Sequence, residues 1–170
     1  MPLNIYQKSL YIGLFNSTMI GRSVGKIFKK EHKSFKDFKL AILEESENLI
    51  CKMEKKTLSE KDIIDSLDGI VERFKVSYGQ AQKGINVILK YHYQLYKNLK
   101  KYNGKALHCP LDSNILAELK IKDLPLSKID KEKYLSIQNK IANLSDIRVD
   151  FDEKYEKKYL ARIGIKPRKL

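Results

Sequence analysis

The sequence of 170 residues predicts an all-α fold, a compact multi-helix domain, on three observations. Proline occurs four times and glycine eight times, so long segments contain no helix breaker. In those segments apolar residues recur three and four positions apart, which is the pattern of an amphipathic helix. Runs of β-branched residues, which favour strands, are few. We expect residues 1–170 to form a single helical domain that ends in a basic tail over about residues 161–170.

The N-terminal half of the chain predicts three helical regions. Apolar residues within positions 3–30 are spaced for one or two helices. Ser34 stands as an N-cap before the next helix, which runs to Met53. Ser59, with an acidic residue three positions later, begins another helix whose apolar face ends at Phe74.

The second half contains the clearest helix start in the sequence. Ser77 and Gln80 form a capping box, and the apolar face that follows them extends to Leu99. A link without a helical pattern follows over residues 101–111. Beyond it, three helices are predicted: residues 114–119 after an N-cap at Asp112, a helix from Asp130 with apolar residues to position 144, and a last helix over residues 151–160.

The net charge of +13 is confined to three blocks of the chain. Residues 1–33 carry a net charge of +5, residues 77–109 of +6 and residues 157–170 of +6, whereas each of the two intervening stretches carries −2. Such segregation predicts a surface that binds a polyanion, and nucleic acid is the partner we expect, with DNA favoured. The alternative is a solvated lysine surface without a ligand.

Three lysines of the second block form what we call the lysine stripe. Lys83, Lys90 and Lys97 recur every seven residues, which keeps them within about 40° of one another around a helix axis. A stripe of this kind is typical of a face that contacts phosphates, and the alternative is again a solvated face.

Several kinds of site and location are not indicated. Two cysteines are too few for a disulfide framework, no stretch approaches the ~18 apolar residues of a membrane span, and no signal-peptide pattern opens the sequence. We therefore expect a cytoplasmic protein with no membrane partner. The histidines and cysteines lack metal-ligand spacing and no nucleotide-binding loop is present, so neither a metal nor a cofactor is expected. His92, in an apolar stripe, is interpreted as a core histidine.

Two segments carry the pattern that points to a function. Residues 79–83, with the sequence GQAQK, open the helix of the lysine stripe, and residues 109–113, with the sequence CPLDS, open the next predicted helix. Over residues 77–119 the chain resembles the helix-hairpin-helix DNA glycosylase superfamily, with a spacing similar to that of its archaeal 8-oxoguanine glycosylase branch. In that superfamily a hairpin turn leads to a catalytic lysine, and a later Pro-hydrophobic-Asp step carries a catalytic aspartate.

The resemblance implies a helix-hairpin-helix-like element and assigns two catalytic residues. Lys83 matches the lysine that attacks the sugar, and Asp112 matches the aspartate that stabilises positive charge on it. Breaking an N-glycosidic bond builds such a charge, so a carboxylate and a nucleophile are the groups this chemistry requires. A Schiff base between the lysine and C1′ would add AP-lyase activity. The target base would have to leave the DNA stack to reach the site.

Ordinary structural roles stay open for these residues. Lys83 is equally explained as a member of the lysine stripe, and Asp112 as an N-cap. The residues expected to contact nucleic acid lie at the start of the same helix, in its stripe or in the loop before Asp112: Gly79, Gln80, Gln82, Lys90, Lys97 and His108. For Gln80 the alternative is a helix cap, for Gln82 a surface position, and for His108 a cap of the loop.

Two functions of other classes also stay open. One is a non-catalytic helical protein that binds nucleic acid through the lysine stripe. The other is a helical interaction or inhibitory module whose basic face meets an acidic protein surface. The functions predict different effects of substitution. In a glycosylase, loss of a transition-state contact lowers the reaction rate more than the affinity for DNA. In a non-catalytic binding protein, loss of a phosphate contact weakens binding to all DNA sequences alike.

Overall fold

The computed structural model describes residues 4–18, 20–30, 34–100 and 102–162, and within these ranges the chain forms eight α-helices, two short 3₁₀ turns and no β-strand. The all-α prediction is therefore confirmed. The helices are α1 (Ile5–Ser17), α2 (Ile20–Lys30), α3 (Phe35–Glu54), α4 (Glu60–Phe74), α5 (Tyr78–Lys100), α6 (Ser113–Glu118), α7 (Lys131–Ala142) and α8 (Arg148–Arg162). The 3₁₀ turns cover Gly104–Ala106 and Leu126–Lys128.

Helix α5 is the centre of the domain. It packs against α1, α2, α3, α4 and α7, and 14 of its 23 residues are buried. A helix enclosed on most sides must place some polar residues inside, and Gln82 and Lys90 are among them. Gly84 allows α1 and α3 to approach closely, because a Cβ there would lie 2.9 Å from Cγ2 of Ile42 and 3.1 Å from the ring of Phe15.

In the part of the chain that the structure describes, the buried apolar side chains other than Val87 form one contiguous cluster. Three phenylalanines join α2, α3 and α4 within it: the ring centroid of Phe38 lies 5.3 Å from that of Phe28 and 5.2 Å from that of Phe74, in edge-to-face arrangements that suit aromatic rings. The region of residues 3–30, for which one or two helices were predicted, contains two, α1 and α2.

The predicted helix starts are confirmed by their hydrogen bonds. The Ser34 side chain accepts from the backbone at the start of α3. At α4 the N–H of Asp62 donates to Ser59 Oγ at 3.3 Å and the N–H of Ser59 donates back to Asp62 Oδ2 at 2.8 Å. At α5 the N–H of Gln80 donates to Ser77 Oγ at 3.1 Å and the N–H of Ser77 donates to Gln80 Oε1 at 3.0 Å. The arrangements at the starts of α4 and α5 are reciprocal capping boxes.

The other helix boundaries, including the start of α8, agree less closely with the prediction. Helix α8 begins at Arg148 and continues to Arg162, beyond both predicted limits, and α7 ends at Ala142 rather than at position 144. The link before α6, predicted to be non-helical, contains the 3₁₀ turn Gly104–Ala106. Of the predicted basic tail, only residues 161 and 162 belong to the described part of the chain, where they end α8.

The connection between α4 and α5 consists of residues 75–77. Lys75 adopts a left-handed backbone conformation with φ 55°, and its N–H donates to the carbonyl of Val71 at 2.8 Å, which ends α4. The identification of this connection with the hairpin of the glycosylases stays a prediction.

His92 is fully buried in the core between two tyrosines, as predicted. Its Nδ1 lies 2.5 Å from the hydroxyl of Tyr11 and its Nε2 lies 3.4 Å from the hydroxyl of Tyr102. Burial lowers the pKa of His92 from 6.5 to about 4, because the low-dielectric interior disfavours the charged imidazolium more than the carboxylate of Glu54 favours it.

Acid is therefore expected to destabilise the protein through His92. Between pH 6.5 and pH 4 the unfolded chain binds a proton at this residue and the folded chain does not, so the free energy of unfolding falls as the pH is lowered through this window. The full loss is roughly 3 kcal/mol. Urea unfolding at a series of pH values should show this slope in the wild type and a smaller slope in His92→Gln. Equal slopes would contradict the assignment.

Candidate active site

Lys83 and Asp112, which lie 29 residues apart in the sequence, form an ion pair. Lys83 Nζ donates to Asp112 Oδ2 at 2.8 Å. The other carboxylate oxygen, Oδ1, accepts from the N–H groups of Asn114 and Ile115 at 2.9 and 3.0 Å, so Asp112 is also the N-cap of α6. The fold brings together the two residues predicted to be catalytic, and the predicted N-cap is confirmed.

The carboxylate of Asp112 is held in its charged form. Burial raises its pKa, but the charge and hydrogen bond of Lys83 and the two backbone N–H donors outweigh burial, and the pKa lies below its ordinary value. The pair is nevertheless reachable from outside, since the side chain of Asp112 is 31% exposed and that of Lys83 is 13% exposed. A permanent negative charge at an accessible position is what stabilisation of a cationic intermediate requires.

A cavity of about 250 Å³ opens beside this pair, between the end of α1, helix α5, the loop before α6, and helix α8. Its polar lining consists of two lysines, three carboxylates and three hydroxyls: Lys83, Lys90, Asp112, Asp152, Glu156, Ser17, Thr18 and Tyr91. Val87 and Pro110 supply apolar surface. A concave site with several convergent charged groups is a candidate for binding or catalysis.

Lys90 occupies the inner part of the cavity wall and is held by two carboxylates of α8. Its Nζ donates to Asp152 Oδ2 at 2.8 Å and to Glu156 Oε1 at 2.6 Å, and it lies 4.6 Å from the ring centroid of Tyr91. Burial lowers the pKa of Lys90, but the two carboxylates outweigh burial and the net pKa is raised. Burial raises the pKa of Asp152 despite the opposing charge of Lys90. The two carboxylates thus stabilise the protonated, positively charged form of Lys90.

The lysine stripe is paired along its whole length within the described structure. Besides the pairs of Lys83 and Lys90, Lys97 Nζ lies 3.6 Å from Glu153 and 3.9 Å from Asp150 of α8. A contact between the stripe and phosphates stays a prediction, and a phosphate would compete there with these carboxylates. The three lysines share one side of α5 as predicted, but that side faces carboxylates of the same chain, so its charge is already compensated.

The N-terminus of α5 is also occupied by protein groups. The N–H of Gly79 donates to the carbonyl of Ile129 at 3.1 Å, and a Cβ on Gly79 would lie 2.8 Å from that of Ile129. Gln80 is buried, caps α5 and donates from Nε2 to the carbonyl of Ser23 at 3.1 Å. The cap interpretation of Gln80 is confirmed. The N–H groups of Gly79 and Gln80 are already bonded within the protein, and Leu126 and Ile129 lie against Gly79, so the expected phosphate contact stays a prediction without support from this geometry.

Gln82 is fully buried, so its interpretation as a surface residue is wrong. Its Oε1 accepts from the N–H of Leu111 at 3.0 Å, and its Nε2 donates to the carbonyl of the same residue at 2.9 Å and to that of Gly79 at 3.0 Å. A direct contact between Gln82 and nucleic acid is not possible in this arrangement. The side chain instead holds the main chain immediately before Asp112.

His108 anchors the loop before α6 rather than lining the cavity. Its Nδ1 lies 2.6 Å from the hydroxyl of Tyr134 and its Nε2 lies 2.8 Å from Glu60 Oε1, and Arg148 donates to both oxygens of Glu60 at 2.8 and 3.2 Å. The hydrogen bond from His108 and the guanidinium of Arg148 lower the pKa of Glu60 to about 2 against the effect of burial. Burial lowers the pKa of His108. These contacts agree with a role in fixing the loop and leave no polar ring atom of His108 for a base.

Two cavity residues, Asp152 and Glu156, were missed by sequence reasoning. The signal available was their spacing of four on α8, which places two carboxylates on one helical face. Nothing in the sequence indicated that this face would meet the lysine stripe more than 60 residues earlier. Among the described residues, no three histidine, cysteine or acidic side chains are grouped so as to hold a metal ion.

Comparison with known proteins adds no assignment. The chain matches no protein-family model, no curated protein and no solved structure. In the described ranges, every helix is too short or too polar to cross a membrane.

Proposed function

We propose that the protein is a DNA glycosylase with AP-lyase activity, in which Lys83 is the nucleophile and Asp112 stabilises the sugar cation. The observation that carries the proposal is the 2.8 Å pair between Lys83 Nζ and Asp112 Oδ2 at an accessible cavity. These are the two residue types that cleavage of an N-glycosidic bond with capture of the sugar requires. DNA is the proposed polyanion, and the predicted cytoplasmic location belongs to the same proposal.

The proposed reaction uses the pair in two ways. As the C1′–N bond of the damaged nucleotide breaks, its electron pair leaves with the base, and the carboxylate of Asp112 stabilises the positive charge on the sugar. Lys83 must lose a proton before its Nζ can form a bond to C1′. Asp112, at 2.8 Å, can receive this proton as the new N–C1′ bond removes the positive charge from the sugar, so the carboxylate is needed as an anion only until that bond forms. A second proton then passes from Nζ to the ring oxygen O4′ as the sugar ring opens, which yields the Schiff base from which strand cleavage proceeds.

The cavity fits the requirement that the target base leaves the DNA stack. An extruded base is recognised by hydrogen bonds to its edge and by contact with its faces. The carboxylates of Asp152 and Glu156 can accept hydrogen bonds, the Tyr91 hydroxyl can donate or accept, and Val87 and Pro110 offer apolar contact.

Borohydride trapping on oligonucleotides that contain an abasic site or 8-oxoguanine tests the proposal. The wild type is expected to form a covalent adduct that disappears in Lys83→Ala, because reduction captures only a Schiff base. Lys97→Ala is the matched control. Lys97 belongs to the same stripe and pairs with α8, but it does not line the cavity. It should retain the adduct.

The remaining outcomes separate the other functions. An adduct that survives Lys83→Ala would assign the nucleophile to another amine. No adduct and no base release, together with salt-sensitive binding to undamaged DNA, would support the non-catalytic nucleic-acid-binding protein. Absence of DNA affinity beyond the ~10⁻⁴ M of weak non-specific binding would support the interaction module.

A further inference from the structure

The loop before Asp112 is a buried, extended segment whose backbone groups need partners inside the protein. Residues 107–111 are all buried. Buried N–H and C=O groups are destabilising unless they are hydrogen-bonded, and an extended segment cannot satisfy them by itself. This segment has no neighbouring strand within the described structure. The N–H of Leu107 donates to the carbonyl of Gly104, and the backbone groups of Cys109 and Leu111 are bonded by two glutamine side chains.

Each glutamine binds both backbone groups of one loop residue. Gln138 Oε1 accepts from the N–H of Cys109 at 3.0 Å and its Nε2 donates to the carbonyl of Cys109 at 2.8 Å. Gln82 does the same for Leu111, at 3.0 and 2.9 Å. We call these two arrangements the glutamine clamps. Each imitates the paired hydrogen bonds that an adjacent β-strand would supply.

The clamp of Gln82 lies closer to the Lys83–Asp112 ion pair than that of Gln138 does. Gln82 precedes Lys83 in α5, and its partner Leu111 precedes Asp112, so one side chain joins the two elements that carry the ion pair. Cys109 lies three residues before Asp112, and Gln138 belongs to α7, which carries neither partner. The two clamps are alike in chemistry and burial but unlike in their distance from the site.

The amide of Gln82 is itself held in one orientation. Besides Leu111, its Nε2 donates to the carbonyl of Gly79 at 3.0 Å, and its Oε1 accepts from Asn86 Nδ2 at 3.1 Å. Asn86 Nδ2 in turn donates to the hydroxyl of Tyr134 at 2.9 Å. Two donors meet the oxygen and two acceptors meet the nitrogen of Gln82, so rotation of the amide would break four hydrogen bonds.

We infer that Gln82 is a positioning residue, which sets the distance between Lys83 and Asp112 by clamping the main chain of Leu111. The effect of Gln82 on a reaction rate rests on the proposed function. The effect of Gln82 on the ion pair between Lys83 and Asp112 does not rest on it. Without the clamp the N–H and C=O of Leu111 are left unpaired, and the backbone that carries Asp112 shifts to find other partners. A displacement of about 1 Å at a reacting group can lower a rate on the order of 100-fold.

Gln82→Met, with Gln138→Met as the matched control, tests the inference. Methionine has a similar length and no amide, so each variant removes one clamp and leaves two backbone groups unpaired. Two properties are measured for each variant: the single-turnover rate of adduct formation with abasic-site DNA at saturating protein, and the pKa of the Asp112 carboxyl from NMR titration of labelled aspartate. Affinity for the same DNA and thermal stability are measured alongside.

Gln82→Met is expected to slow adduct formation by about 10- to 100-fold with little change in DNA affinity. The pKa of Asp112 should rise toward its ordinary value, because Lys83 no longer lies against the carboxylate. Gln138→Met is expected to keep both the wild-type rate and the wild-type pKa of Asp112, and to lose less stability because Gln138 makes two hydrogen bonds where Gln82 makes four.

The outcomes that overturn the inference differ from those that overturn the proposed function. Equal changes in both variants would make Gln82 a stabilising residue only, and an unchanged pKa of Asp112 in Gln82→Met would refute positioning. If the wild type forms no adduct and releases no base, the proposed function fails, and the pKa of Asp112 still decides the inference. If Gln82→Met does not fold, Gln82→Asn replaces it in the same comparison. Fast hydrogen exchange of the Leu111 N–H in the wild type would refute the clamp without any variant.

Discussion

Asp112→Asn is expected to lower the rate of base release by about 10²- to 10³-fold while leaving the fold and the affinity for damaged DNA nearly unchanged. Asparagine is as good an N-cap as aspartate, so α6 should still begin at this position. The substitution removes the negative charge and, because an amide nitrogen replaces Oδ2, also the acceptor of Lys83 Nζ. That charge stabilises the sugar cation in the transition state more than in the bound substrate. Single-turnover base release and binding to an uncleavable analogue measure the two effects.

Asp130→Asn is the matched control for this substitution. Asp130 is the N-cap of α7, its side chain accepts from the N–H of Lys133, and it lies outside the lining of the cavity. It should keep the wild-type rate. If Asp112→Asn also keeps the wild-type rate, Asp112 is a helix cap alone and the proposed mechanism is lost, even if Lys83 forms an adduct.

Lys90→Met is expected to destabilise the protein by about 3–5 kcal/mol, which is the range found when one partner of a buried ion pair is removed. The substitution leaves Asp152, whose side chain is 10% exposed, as an uncompensated charge in the protein interior. Glu156 contributes less to the loss because it is 42% exposed and can reach water. For a protein of this length the expected fall in Tm is roughly 10 °C, measured by thermal unfolding at neutral pH.

Two variants accompany Lys90→Met. In the double variant Lys90→Met/Asp152→Leu both buried charges are removed, so most of the stability should return. Lys97→Met breaks longer and more exposed contacts, at 3.6 and 3.9 Å, and should cost less than about 1 kcal/mol. A loss for Lys90→Met as small as that for Lys97→Met would show that the charge of Asp152 reaches solvent.

The starts of the helices were predictable because their causes are local. The hydrogen bonds that begin α4 and α5 join residues three positions apart, so Ser59, Ser77 and Gln80 carry the signal in the sequence itself. The same holds for the cap at Asp112. The start of α8 was not predictable in this way: no capping residue had been identified for it, and the helix begins at Arg148, three residues before its expected position.

The candidate site was predictable in part. The resemblance to the glycosylases singled out Lys83 and Asp112, and the fold brings them to 2.8 Å. Their direct contact could not be read from the sequence, because it depends on the buried amide of Gln82 that orders the loop. Position on a helical wheel could not reveal that burial, since α5 is enclosed on most of its sides and its polar residues lie inside as well.

The partners of the lysine stripe were decided by the tertiary structure alone. Helical periodicity places Lys83, Lys90 and Lys97 on one side of α5, because the period of a helix is a property of the local backbone. What that side faces is set by where the loop before α6 places Asp112 and by where α8 returns, more than 50 residues after the lysines that it meets. The attraction between opposite charges acts over a long range, and many arrangements of the chain could bring an anion to these lysines. The number of charges along the sequence therefore indicates that the lysines need anions. It cannot show whether that anion is a phosphate or the carboxylate of Asp152.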